Sequence, residues 1–185
     1  MLHTKKLALS GIFAGLALAL MWLISFFPSM DYALPALAGL LSVPLLLEFG
    51  TGWALGAYAV AGMLSFLLLP NKIVPLLYVA FLGYYPILKV ALARRLPRWA
   101  EFLVLLLVFN ASVTGCLFLG ARLFGLPLEE ELFSGMPAFL AQYALPVLFG
   151  MGNLGFISYN YATRNMLRVY EKKWRKKLQR VLRGN

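Results

Sequence analysis

The sequence predicts an all-α integral membrane protein with six transmembrane helices. Hydrophobic residues make up 62% and charged residues 13% of the 185 residues, against about 45–50% and about 25% in average soluble domains. A soluble core of this length could not bury that much apolar surface. Apolar segments close to the membrane-spanning length of about 17–25 residues recur along the chain. Lysine and arginine concentrate between them in three clusters, at Lys5/Lys6, residues 89–98 and residues 164–183.

The first predicted span covers residues 7–27 and follows the basic start of the chain. Its beginning resembles a signal peptide, but the apolar run is too long for the hydrophobic region of one. We therefore expect a retained first span.

The second predicted span, residues 33–47, is short and contains Pro35 and Pro44. Prolines free backbone carbonyls inside a helix, which a membrane tolerates only where protein or water satisfies them. We expect this segment to cross the membrane, with a tilted, kinked or partly re-entrant course as the other possibilities.

The remaining four spans follow clear turn signals and charged loops. Pro70-Asn71-Lys72 ends the third span, and a basic loop at 94–98 separates the fourth from the fifth. Three adjacent carboxylates, Glu129 to Glu131, precede the sixth. The predicted ranges are 53–69, 73–93, 101–124 and 137–162.

The charge pattern sets the predicted topology, because loops that stay in the cytoplasm accumulate lysine and arginine. Six crossings bring both basic termini and the 94–98 loop to the cytoplasmic side of the cell membrane, whereas five would separate the tail from Lys5/Lys6. Asp31, Lys72 and the Glu129 to Glu131 run are then external, and Glu48 lies in an internal turn.

The predicted organisation is a membrane domain, residues 1–163, and a basic cytoplasmic tail, residues 164–185. The tail spaces Leu167, Tyr170 and Trp174 three and four residues apart, as in an amphipathic basic helix. It suits anionic lipid headgroups. A plain topology anchor and a docking segment for a cytoplasmic partner both remain open.

Composition also excludes several function classes. Cys116 is the single cysteine, so no internal disulfide can form. His3 is the single histidine, and we set aside serine-histidine and cysteine-histidine catalysis on that ground. The Glu129 to Glu131 run is weak evidence for a metal site, and no glycine-rich phosphate loop occurs. The net charge of +10 belongs to residues flanking apolar spans, so we predict no nucleic-acid binding. For want of a nucleophile and base pair or of metal ligands, we also predict no enzyme activity and no cofactor.

The first span carries small residues four apart at Gly11, Gly15 and Ala19. Such spacing lets two helices approach closely in a membrane. The pattern fits packing inside the monomer and a docking face for another subunit equally well.

The six apolar spans, the internal termini, the Lys5 to Leu9 start and this stripe together resemble the substrate-binding S component of energy-coupling factor (ECF) transporters. In that family an Ala-x-x-x-Ala motif in the first helix docks on a transmembrane coupling subunit driven by two cytoplasmic ATPases. Gly11, Gly15 and Ala19 match it as a glycine-rich variant. The resemblance implies uptake of a vitamin or similar micronutrient.

The resemblance further implies a substrate site near the outer face, under external loops. Asn110 and Asn153 either contact substrate or hydrogen-bond across helices. Arg122 either extends its charge to the membrane surface, meets a substrate carboxylate or pairs with Asp31 or the Glu129 to Glu131 run. The candidate residues are Asp31, Tyr32, Asn71, Tyr78, Arg122, Gln142 and Tyr143, with Asn110, Thr114 and Asn153 nearer mid-depth.

Two groups toward the inner side are interpreted without a role in binding. Tyr84-Tyr85-Pro86 and Tyr159-Asn160-Tyr161 are interpreted as interfacial anchors, and Glu48 as a hydrated residue. An alternative function is a membrane scaffold similar to the shape-determining MreD proteins, which binds protein partners and no solute.

Overall fold

A computed structural model describes residues 2–27, 30–123 and 143–175, and this part of the chain consists of helices joined by short turns, with no strand. Two π-helical turns, Tyr78–Leu82 and Tyr170–Trp174, continue neighbouring helices, and a short 3₁₀ turn, Leu23–Ser25, ends the first. The α-helices are α1 Leu2–Trp22, α2 Ala33–Leu40, α3 Ser42–Phe49, α4 Thr51–Leu68, α5 Ile73–Leu77, α6 Tyr85–Ala93, α7 Arg98–Leu123 and α8 Ala144–Val169.

Within the described ranges, 4 helical segments are long and apolar enough to cross a membrane, which confirms a membrane-type helical protein. The second predicted span is the shorter apolar segment Ala33–Phe49. The sixth corresponds to α8, which is 26 residues long and carries several polar residues. Six crossings therefore stay a prediction. The four segments are His3–Ser25, Thr51–Leu68, Ile73–Ala93 and Arg98–Leu119.

The second apolar segment is split at Leu41, between α2 and α3. Pro44 causes the split, because it has no amide hydrogen for the Leu40 carbonyl and its ring crowds that carbonyl. Ser42 Oγ donates to the Gly39 carbonyl at 2.8 Å beside the break. The helix is thus interrupted before Pro44, and the Ser42 hydroxyl bonds one carbonyl at the interruption. Whether the segment crosses the membrane, and with what course, stays a prediction.

The segment Ile73–Ala93 is interrupted as well, by the π turn that precedes Pro86. The Gly83 amide bonds the Tyr78 carbonyl at 2.8 Å, one residue further back than in an α-helix. Pro86 leaves the Leu82 carbonyl without its helical donor. Tyrosines from other helices replace the missing donors: Tyr58 Oη donates to the Val79 carbonyl at 2.7 Å and Tyr159 Oη to the Leu82 carbonyl at 2.8 Å.

The core has two parts with different packing. Around α1 and α4 the facing side chains are small, such as Ala14, Ala17, Ala54 and Ala61, and small residues allow the close helix approach that stabilises membrane bundles. The second part, between α6, α7 and α8, is aromatic. Its rings lie at contact distances with centroids 4.9–6.2 Å apart, a range typical of aromatic pairs, among Phe81, Tyr85, Phe102, Phe109, Phe156 and Tyr159.

Contacts bring the basic clusters that the structure describes to one end of the molecule, here called the basic end. The rings of His3 and Trp53 lie 5.1 Å apart and Lys6 Nζ lies 5.8 Å from the Phe49 ring. Lys89 pairs with Glu101, and Arg175 reaches back to Glu48. The starts of α1, α4 and α7 therefore share this end with the terminations of α3, α6 and α8. Its cytoplasmic location stays a prediction.

Candidate functional site

The two interrupted apolar segments meet at their breaks. Gly39 of α2 packs against the Leu82 carbonyl, so closely that a methyl group at position 39 would overlap it. Tyr159 Oη of α8 lies at the same point, 2.8 Å from the Leu82 carbonyl and 3.2 Å from the Ala36 carbonyl. The Tyr159 hydroxyl is thus within hydrogen-bond distance of a carbonyl from each interrupted segment. We call this junction the broken-helix crossing.

A line of hydroxyl-bearing side chains extends from the crossing toward α7. The Tyr58 and Tyr78 rings lie 5.6 Å apart, and those of Tyr58 and Tyr84 lie 6.0 Å apart. Tyr84 Oη then shares a hydrogen bond of 3.1 Å with Ser112 Oγ. Tyr78, a predicted substrate residue, is buried in this line. The arrangement offers aromatic faces with a few fixed polar groups, the composition of small-ligand sites in general.

Asn110 and Asn153 are brought together by the structure. Their side-chain amides bond reciprocally across α7 and α8, at 3.0 Å and 3.4 Å. Asn110 also donates to the Leu106 carbonyl, and Thr114 Oγ1 donates to the Asn110 carbonyl at 2.9 Å. The interhelical alternative is therefore observed for the asparagine pair, while both residues keep partly accessible surface.

The other predicted site residues lie at the end opposite the basic end and are not drawn into one cluster. Tyr32 and Tyr143 are exposed and Asp31 is half-buried. Arg122 is exposed, with its guanidinium carbon 5.4 Å from the centroid of the Phe118 ring. Gln142 and the Glu129 to Glu131 run lie outside the described residues. So does the whole connection between the fifth and sixth predicted spans, residues 125–136, which is the expected external loop.

The basic end contains a buried ionic cluster that the sequence interpretation missed. Lys89 Nζ lies 3.1 Å from Glu101 Oε1, and the two side chains are only 7% and 13% exposed. Asn160 Oδ1 accepts from both Lys89 Nζ and Tyr85 Oη, the latter at 2.9 Å. The charge pattern of the sequence groups Lys89 with the basic cluster at residues 89–98, and the structure buries its side chain. The interfacial-anchor interpretation is likewise wrong for Tyr85, Tyr159 and Asn160, which are buried, whereas Tyr161 is exposed.

A signal for this pair was present in the sequence. Lys89 and Glu101 lie at similar distances on either side of the short connection 94–97, and helices joined by a short loop pack as antiparallel neighbours. Residues equidistant from such a turn meet across it. A single carboxylate that follows a basic loop is therefore expected to pair with a lysine at the same distance before the loop.

Glu48 is a second corrected residue, because its side chain is buried and partnered. Glu48 Oε1 lies 3.4 Å from Arg175 Nε and accepts a hydrogen bond of 3.4 Å from Tyr170 Oη. Burial raises the pKa of Tyr170, and the Glu48 carboxylate raises it further, so the phenol stays protonated as a donor. The beginning of the tail is in this way attached to the end of α3.

The small-residue stripe faces away from the described core. Gly11, Gly15 and Ala19 are exposed, and a methyl group added at either glycine would meet nothing within 4 Å. The buried face of α1 is formed instead by residues such as Ala14, Ala17 and Met21. Packing of the stripe within the described part of the monomer is thus excluded, and its surface is available to lipid or to another protein.

No family model, curated protein or solved structure matches this chain. The described residues also contain no group of three or more His, Cys, Asp and Glu side chains placed to hold a metal ion. What the arrangement provides chemically is a rigid, hydrogen-bonded crossing between interrupted helices, polar side chains beside it and an open helix face.

Proposed function

We propose that this protein is the membrane-embedded, substrate-binding subunit of an ECF-type transporter for a vitamin or similar micronutrient. The observation that carries the proposal is the broken-helix crossing, where Ala33–Phe49 and Ile73–Ala93 meet at Gly39 and Leu82. Interrupted helices are costly in a membrane, and in many transporters they form the substrate site near the middle of the bilayer.

In the proposed arrangement the chain crosses the cell membrane six times, with both termini and the basic end in the cytoplasm. The co-location of basic segments supports this orientation, because positive loops remain inside. Solute would enter from the opposite end, past Asp31, Tyr32, Arg122 and Tyr143, toward Asn110 and Asn153. Energy would come from a transmembrane coupling subunit and two cytoplasmic ATPases.

The exposed stripe is the proposed docking face for the coupling subunit, and this gives the first prediction. Gly15→Leu should abolish uptake while solute affinity stays within about twofold, since the new side chain projects from an open face and blocks close helix approach. Cells expressing the chain with its coupling subunit and ATPases should be assayed for uptake of panel vitamins, beside solute binding by the purified chain.

Gly155→Leu is the matched control for Gly15→Leu. Gly155 is also an exposed helical glycine with nothing within 4 Å of an added methyl group, but it lies on α8. Its uptake should remain close to the unmodified level. Unchanged uptake in Gly15→Leu, or equal loss in both variants, would remove the stripe from the docking role.

A second prediction concerns Arg122, whose guanidinium is exposed beside the Phe118 ring. Arg122→Ala should weaken binding of a carboxylate-bearing solute by about tenfold or more, because hydrogen bonds to charged groups contribute about 1.5–3 kcal/mol. Arg122→Lys should retain part of that affinity. Calorimetric titration with the acid and its neutral amide analogue would measure the effect, and equal affinities in all three proteins would exclude Arg122 from the site.

A membrane scaffold remains the alternative function, favoured by one observation. The described interior is filled by large side chains, including Tyr78, Tyr85 and Phe156, as expected of a protein that packs against partners and holds no solute. This alternative predicts that no member of a vitamin and micronutrient panel binds the purified chain, and that denaturation releases no small molecule detectable by mass spectrometry. Release of a vitamin would favour the transporter subunit over the scaffold.

A further inference from the structure

The carboxylates at the basic end leave several arginines uncompensated. Among the described residues, Glu101 is engaged by Lys89 and Glu48 by Arg175 and Tyr170, so Glu171 is the remaining carboxylate at this end. Around them lie exposed cations for which the described residues supply no ion pair. They are Arg94, Arg95, Arg98, Arg164, Arg168, Lys172 and Lys173.

Helix geometry brings three of these cations around the buried pair. Arg98 is one turn before Glu101 on α7, and Arg164 is one turn after Asn160 on α8, so each lies on the same helix face as its cluster residue. Arg168 follows Arg164 by one more turn. The Lys89–Glu101 pair, whose charges cancel, is thus flanked by guanidinium groups that no carboxylate of the described residues pairs with. We call Arg98, Arg164 and Arg168 the arginine patch.

Exposed aromatic side chains lie at the same level. Trp99, next to Arg98, is 70% exposed, and Tyr161, one turn before Arg164, is 68% exposed. Trp99 is the second residue of α7, and Tyr161 lies where the apolar part of α8 is followed by its basic residues. Tryptophan and tyrosine at such boundaries sit at the depth of lipid headgroups. A guanidinium matches a phosphate with two parallel hydrogen bonds.

From this combination we propose that the arginine patch binds the phosphate groups of anionic phospholipids in the cytoplasmic leaflet. An acidic protein surface would also complement the charge, but it would not account for exposed Trp99 and Tyr161 beside the arginines. The patch holds the ends of α7 and α8 at the membrane surface through headgroup contacts. This function is independent of whether the chain transports a solute.

The test uses the full chain, delipidated in a neutral detergent and titrated with phosphatidylglycerol or phosphatidylcholine of matched acyl chains, with bound lipid measured by native mass spectrometry. The unmodified protein should prefer phosphatidylglycerol. In Arg98→Gln/Arg164→Gln, phosphatidylglycerol affinity should fall by roughly fivefold for each charge removed, while phosphatidylcholine affinity is unchanged. Arg98→Lys/Arg164→Lys should retain most of the preference.

Lys5→Gln/Lys6→Gln is the matched control, since it removes the same charge at the same end from α1. The phosphatidylglycerol affinity of this variant should fall less than fivefold. An equal loss would mean diffuse attraction, and equal binding of the two lipids would exclude headgroup recognition; either result overturns the proposal. Displacement of phosphatidylglycerol by soluble glycerol phosphate at equal concentration would also overturn the proposal. So would polyglutamate binding that depends on the arginines, if the protein showed no lipid preference. Equal melting temperatures in phosphatidylcholine micelles would show that the variants are folded.

Discussion

Lys89→Met is expected to lower the free energy of unfolding by about 3–5 kcal/mol, the cost of leaving one member of a buried ion pair without its partner. Glu101 would lose the ammonium group 3.1 Å away, in a position where its side chain is 13% exposed. Asn160 would keep only the hydrogen bond from Tyr85 Oη. Glu101→Leu should cost a similar amount, because Lys89 then stays buried and charged without its carboxylate partner.

The double variant Lys89→Met/Glu101→Leu should be much less destabilised than either single variant. Replacing a buried pair by apolar residues of similar volume is often neutral or stabilising, so the cycle should show a coupling energy of several kcal/mol. Unfolding in mixed micelles of increasing dodecyl sulfate content would measure all four proteins. Lys172→Met, at an exposed lysine of the same end, should change stability by about 0.5 kcal/mol or less. A single-variant cost below about 1 kcal/mol would show that the pair is hydrated.

The cluster also shows where sequence reasoning reaches its limit. Charge counting grouped Lys89 with the arginines of the 89–98 cluster, because the positive-inside rule treats every lysine near a loop alike. The structure separates them, since Lys89 points into a three-helix contact while Arg94 and Arg95 are exposed. Glu101 of α7 and Asn160 of α8 are polar partners that make this burial tolerable. Asn160 could not be recognised as a partner from the sequence, because it is far from Lys89 along the chain.

Long apolar helices and their interruptions could be predicted more fully. Segment length and hydropathy identified the four long helices, and Pro35 and Pro44 predicted that the second apolar segment is irregular. Proline acts on the local backbone, so its effect can be predicted from the local sequence. The partners of the freed carbonyls could not be predicted in this way, because Tyr58 and Tyr159 come from distant parts of the chain.

The candidate site was predictable only in part for the same reason. The Asn110–Asn153 contact agrees with one of the two interpretations offered by the sequence. The role of Tyr159 was missed, since a tyrosine near a helix end looks like an interfacial anchor until the broken helix it serves is known. The outward direction of the Gly11 and Gly15 stripe also depended on which face of α1 packs on α4.

The broken-helix crossing supplies the last prediction, at Gly39. Gly39→Ala should destabilise the fold by at least about 3 kcal/mol, combining overpacking with the loss of a buried hydrogen bond. The new methyl group would overlap the Leu82 carbonyl and lie 2.8 Å from Tyr159 Oη. Both neighbours are held by the bond that joins them, so α2 must move away from the π turn and from α8.

Gly56→Ala makes the same substitution in a helix where nothing lies within 4 Å of the added methyl group. It should leave stability unchanged or raise it by up to about 1 kcal/mol, because alanine is the better helix former. In a Tyr159→Phe background the Gly39→Ala cost should shrink, since the phenol oxygen is gone and the Leu82 carbonyl has already lost its donor. Additive costs in dodecyl sulfate unfolding would mean that Gly39 and Tyr159 act separately, whereas a coupling of about 1 kcal/mol or more would identify the crossing as one structural unit.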